Sequence, residues 1–200
     1  MGASFWAAVE ARDAVIDGDL TRAKERADFL AHESFAALPG RYRFWVGQVQ
    51  LTAGNAAVAA GDDDAAHWVA ELALTCGNCH RYANRDTEGK LPELASPPVA
   101  AGEDLHARMH RHMQAADDLW MGLARPSDAA WNRGARLLNE APPEPPVREG
   151  EAVDPRVTEQ LNQIKALGLR AITASTPHQR ADVYGEFLAR CPRCHVLVAR

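Results

Sequence analysis

Four cysteines and two histidines carry the most legible chemistry in this chain. The cysteines fall into two pairs, Cys76-Gly77-Asn78-Cys79 and Cys191-Pro192-Arg193-Cys194, and a histidine follows each pair directly, His80 and His195. Two thiols three residues apart on a helix can each form a thioether with a vinyl group of a haem, while the adjacent imidazole faces the iron. Cys-x-x-Cys-His is the attachment pattern of haem c. The sequence therefore predicts two covalently bound haem c groups, attached through Cys76, Cys79, Cys191 and Cys194, with His80 and His195 as the iron's proximal ligands. With His at 8 of 200 positions, chance would place both histidines in roughly 1 of 600 such sequences. A four-Cys zinc site would use the two pairs but has no need of both histidines. A redox dithiol of the thioredoxin kind expects a preceding strand, and nothing here reads as strand.

A second cluster lies between the motifs. The segment Leu105-His106-Ala107-Arg108-Met109-His110-Arg111-His112-Met113 offers five candidate iron ligands in eight positions. An apolar stripe of Leu105, Met109, His112, Ala116, Leu119 and Leu123 follows helical spacing and puts Met109 and His112 on the inner face. His112 is the favoured distal ligand of the second haem and Met109 the next, with His106 and His110 nearer a polar face. In the first half the aligned positions are Ser4 and Met1, poor substitutes; His67, nine residues before Cys76 on the same helix, is too far along it to reach across the haem, and His32 reads as a surface residue. The first haem is thus expected to be five-coordinate or weakly ligated and the second six-coordinate. Trp6, Trp45, Trp68, Trp120 and Trp131 read mainly as packing residues. Arg81 and Arg193 could pair with propionates or simply face solvent.

These residues need helices to position them, and the chain is helical almost throughout: Ala and Leu dominate and β-branched runs are missing. Helices are expected at 4–17, 20–37, 42–60, 63–84, 103–124, 127–140, 155–174 and 177–198. Gly18-Asp19, Leu38-Pro39-Gly40 and Gly61 with three aspartates mark breaks in the first half; Pro126-Ser127-Asp128, Pro142 to Pro146 and Ser175-Thr176-Pro177 do so in the second. The two sets of four are an internal repeat. An offset of 115 superposes the motifs and pairs Ala66, Val69, Ala73, Cys76 and His80 with Ala181, Tyr184, Leu188, Cys191 and His195. An offset of 108 pairs Phe5, Ala8, Ala27 and Leu30 with Met113, Ala116, Ala135 and Leu138. The change of offset reflects the longer loop from Glu140 to Asp154. The expected fold is all-α, two tandem four-helix-bundle units, each with its Cys-x-x-Cys-His on the last helix. Residues 1–85 form the first unit, 86–102 a Pro-containing linker and 103–200 the second.

Bulk properties bound the function. The formal net charge is −5. Residues 1–100 hold 14 acids against 9 Lys/Arg, and residues 101–200 hold 13 of each. No basic face is on offer for nucleic acid. No stretch approaches the roughly 20 apolar residues of a membrane span, which excludes membrane insertion by a helix. No signal peptide is visible at Met1-Gly2-Ala3-Ser4. Haem c attachment nonetheless implies a periplasmic or otherwise exported protein.

A four-helix unit with Cys-x-x-Cys-His on its last helix resembles the class II cytochromes c, the cytochrome c-prime type, here in two shortened tandem copies. The resemblance covers nearly all of the chain outside the linker. In that family a Tyr or Phe followed by Arg commonly comes soon after the haem histidine. This chain departs from that, with Tyr82 and Arg85 at shifted spacing in the first half and Val196-Leu197-Val198 before Arg200 in the second. The resemblance implies a dihaem cytochrome acting in electron transfer with redox partner proteins, possible as a homodimer. A five-coordinate haem would alternatively bind NO or CO, or reduce peroxide. No acid–base dyad, phosphate loop or nucleophile motif adjoins the haem sites, which points to a carrier more than to an enzyme.

Overall fold

The computed structural model describes residues 2–83, 105–140 and 154–198. Among these the chain is all-helical, without a strand. Its helices are α1 (Gly2–Asp17), α2 (Leu20–His32), α3 (Arg43–Ala57), α4 (Asp62–Tyr82), α5 (Leu105–Ala124), α6 (Asp128–Glu140), α7 (Pro155–Thr173), α8 (Pro177–Leu188) and α9 (Cys191–Val198), with a 3-10 turn at Gly40–Tyr42. The expected linker at 86–102, most of the loop after Glu140, and Met1, Arg85 and Arg200 lie outside the described residues.

Local chemistry explains most of the boundaries. Asp19 caps α2 through the Arg22 amide, Asp154 caps α7 through the Arg156 amide, and Thr176 with Gln179 forms a full capping box on α8. Gly18, at φ +76°, closes α1: its N–H donates to Val15 O and that of Asp19 to Ala14 O, a Schellman end that only a residue tolerant of positive φ makes cheaply.

Two boundaries differ from expectation by more than three residues. α2 stops at His32, five residues early, because Glu33 turns extended (ψ 139°) and its carbonyl accepts from Gln50 Nε2 of α3. The helix expected over 177–198 is two helices. Pro192 has no N–H for the Leu188 carbonyl, so α8 ends there and Cys191 opens α9. The first motif therefore closes a 21-residue helix, whereas the second starts a short one.

Helices adjacent in sequence pack together within each half, and the halves join mainly through α4 against α8. One core cluster runs through both, from Ala8 and Leu30 to Trp120, Trp131, Tyr184 and Phe187. Small residues allow the close approach: a Cβ built on Gly185 would sit 3.4 Å from Ala70 Cβ and 3.4 Å from His67 Cα. Ala70 and Gly185 are equivalent under the 115 offset. Arg12 and Trp120, equivalent under the 108 offset, also meet, the guanidinium 5.6 Å from the ring centroid. Equivalent residues touching each other is the contact pattern of a local two-fold. It makes α4 and α8 antiparallel, and the Arg193–Asp63 ion pair at 2.5 Å agrees.

Candidate functional site

The antiparallel α4–α8 pairing sends the two motifs to opposite ends of the molecule. Cys76 lies six residues beyond the Ala70–Gly185 contact in one direction and Cys191 six residues beyond it in the other. Arg193 of the second motif pairs with Asp63 at the start of α4, and Cys76 lies thirteen residues further along that helix, about 20 Å at 1.5 Å per residue. A single four-Cys zinc site is thereby excluded. Among the described residues no group of three or more His, Cys, Asp or Glu is placed to hold a metal ion on its own.

None of the four cysteines is in a disulfide, and all are half-buried. Burial, with Cys79 beside it, pushes the Cys76 thiol up to about 12; burial, with Cys194 beside it, does the same to Cys191. Burial also raises Cys194. A redox dithiol needs the opposite, a thiol lowered toward neutrality.

His80 is oriented by its surroundings. Its Nδ1 lies 2.6 Å from the Ala124 carbonyl at the end of α5. A carbonyl can only accept, so Nδ1 carries a proton; in the neutral imidazole the lone pair then lies on Nε2, the tautomer an iron ligand requires. α5 comes this close because Gly77 has no side chain, and a Cβ there would overlap the Leu123 carbonyl. In sequence Gly77 is marked only as a glycine within an otherwise apolar helix face.

His195 lines an open cleft of about 880 Å³ where the end of α1 (Gly18), the start of α7 (Pro155, Arg156) and α9 (Pro192, Val196) meet. That volume lies within the range of cofactor pockets. Pro192, Arg193 and His195 of the second motif line the cleft, whereas Cys191 and Cys194 do not; the donor types at both motifs, two thiols and an imidazole, are those the implied group takes.

The remaining candidates divide. Met109 and His112 are half-buried on α5. The Tyr184 hydroxyl donates to the Ala116 carbonyl at 3.1 Å, and α5 runs antiparallel to α8. One turn from Ala116 toward His112 therefore corresponds to one turn from Tyr184 toward Leu188 and the second motif. His106 falls where side chains are not described. His32 is exposed and bonded to Asp28, and His67 is exposed. Arg193 is held by Asp63, and Arg81 donates to Asn78. Trp120 and Trp131 are fully buried, Trp6 is 43% exposed, and Trp45 and Trp68 are intermediate.

Arg12 was not singled out from sequence, although it is the most deeply buried charge among the described residues. It is 2% exposed, and its Nη1 lies 2.8 Å from Asp117 Oδ1, a close ion pair without the alignment of a hydrogen bond. Its Nε and Nη2 bond Asp13 at 2.8 and 2.6 Å. Burial opposes its charge, and its neighbours, the two carboxylates among them, more than offset that. In sequence it stands among alanines and valines as one polar position of a helix, so nothing local marked it as internal.

No protein-family model, curated protein or solved structure matches the chain.

Proposed function

We propose that the chain is a dihaem c-type cytochrome of the class II kind, built as two tandem helical units over residues 1–85 and 103–200, the second with its last expected helix broken in two, and acting in electron transfer. One observation carries the reading: the same Cys-x-x-Cys-His occurs twice, at repeat-equivalent places in the two halves, with its thiols half-buried in both. The hydrogen bond from His80 Nδ1 to the Ala124 carbonyl and the cleft beside His195 support it.

In this reading Cys76, Cys79, Cys191 and Cys194 hold the haems, His80 and His195 are the proximal ligands, and His112, or next Met109, is the distal ligand of the second. Haem supplies reversible one-electron chemistry; the chain holds it covalently and sets its potential through axial ligand, hydrogen bonding and burial. The physiological partners are redox proteins, and attachment places the protein in the periplasm or another exported compartment.

A pyridine haemochrome assay on purified protein tests the core of this reading. Two covalent haems per chain are expected, and one in the Cys76→Ser/Cys79→Ser variant. No covalent haem would refute it. Loss of a low-spin component in His112→Ala is the expected sign of distal ligation. Rapid CO binding at one haem would move the assignment from a plain carrier to gas binding or peroxide reduction.

A further inference from the structure

The C-terminal ends of α1 and α5 rest on the haem-attachment motif of the opposite half. Gly18, just past α1, meets Pro192: a Cβ built on Gly18 would lie 3.1 Å from the proline Cβ. Pro126, just past α5, meets Gly77, its Cδ 3.7 Å from a Cβ built there. The 108 offset maps Gly18 onto Pro126, and the 115 offset maps Gly77 onto Pro192. One contact is therefore made twice with glycine and proline exchanged.

The exchange has a consequence for each helix end. The last carbonyls of a helix lack helical partners and carry the negative end of its dipole. On α1 the Schellman end uses the carbonyls of Ala14 and Val15 internally. On α5 the residue equivalent to Gly18 is a proline, which has no N–H with which to repeat the Gly18–Val15 bond. The bare backbone at Gly77 then lets the terminus of α5 settle directly onto α4. There the Ala124 carbonyl takes the Nδ1 proton of His80 at 2.6 Å.

We propose that the α5 terminus of the second half is the positioning element for the first half's proximal ligand: Ala124, admitted by Gly77, fixes the orientation of His80 and strengthens its donation to iron. This rests on the dihaem reading above. Hydrogen bonding at Nδ1 makes an imidazole a stronger donor, which favours ferric iron and lowers the potential. The first haem's potential then depends on how the second half is seated, and the two haems are tuned through a backbone contact as well as by their own surroundings.

The test uses the haem-loaded protein and its Gly77→Ala variant, with the haems assigned through a Cys191→Ser/Cys194→Ser form that retains only the first. The added methyl pushes the Leu123–Ala124 carbonyls away. At a fixed applied potential the reduced-to-oxidised ratio of the first haem should rise about tenfold, equal to about 59 mV for one electron, while the second haem is unmoved. The ferrous iron–histidine stretch of the first haem should fall in frequency. A second measurement needs no substitution: in the CO-bound ferrous protein the His80 Nδ1 proton should resist solvent exchange. No shift in the first haem, equal shifts in both, or a freely exchanging Nδ1 proton would each overturn the proposal. Absence of covalent haem removes the reading on which it rests, and the haemochrome assay registers that separately.

Discussion

Removing the charge of Arg12 should destabilise the fold more than any other single charge substitution among the described residues. Its side chain is 3% exposed, and it faces Asp117, whose side chain is 16% exposed, across the contact between α1 and α5. Replacing Arg12 with Met keeps the length and apolar stem but takes the Arg12 charge away from Asp117. Breaking a buried pair from one side costs about 3–5 kcal/mol. Asp117 retains some solvent and Asp13 is 38% exposed, so screening puts the ionic part near the low end. Loss of the guanidinium from the Trp120 ring adds up to about 1 kcal/mol, giving about 3–4 kcal/mol in all. With a urea m-value of about 2–3 kcal/mol/M, the midpoint should fall by about 1–2 M with m unchanged. The double variant Arg12→Met/Asp117→Leu removes both charges and should return to within about 1 kcal/mol of the parent. Urea unfolding of the four proteins, followed by far-ultraviolet circular dichroism, closes the cycle. If Arg12→Met costs less than about 1 kcal/mol, or the double variant loses the full sum of the singles, the pair is not a buried, coupled contact and the account of the α1–α5 junction is wrong.

Other outcomes follow from the same geometry. Gly185→Ala should change stability by less than about 1 kcal/mol, since a Cβ at 3.4 Å is in ordinary contact and alanine favours the helix, whereas Gly185→Leu should cost about 1–3 kcal/mol by parting α8 from α4; thermal melts separate the two. Thr176→Ala removes the cap shared with Gln179 and should cost about 1 kcal/mol by denaturant midpoint. In the haem-free chain, Cys76 and Cys191 stand near 12 when folded against 9.0 as the ordinary value. The folded state thus keeps protons that the unfolded state releases: this contribution is complete below pH 9 and lost as pH rises toward 12. Melting temperature should fall over that window in the haem-free chain, and by less in Cys76→Ala/Cys191→Ala. Arg170→Ala, at the exposed pair with Glu186, should change stability by no more than about 1 kcal/mol.

Much of the helical frame was legible because its signals are local. Asp19, Gly61, Asp154 and Thr176-Pro177 start or flank helices through bonds within a few residues of themselves, and the structure places boundaries at each. The misplacements came where a distant or missing bond decided. α2 ends early because Glu33 is held by Gln50 of another helix. The break before the second motif was readable from Pro192, but the apolar spacing continues across it from Ala181 to His195 and masked the stop.

The sequence by itself determined the helical class, the repeat with its two offsets, and the six residues of the paired motifs, since all of these are spacings along one chain. Only the tertiary structure decided that the motifs lie at opposite ends of an antiparallel helix pair, that the end of each half's first helix rests on the other half's motif, and that His80 is held by Ala124 while Arg12 is buried on Trp120. The reason is physical. A carbonyl at a helix end, a glycine notch or a buried arginine has no meaning until another element is packed against it, and that packing joins residues 44 and 108 positions apart.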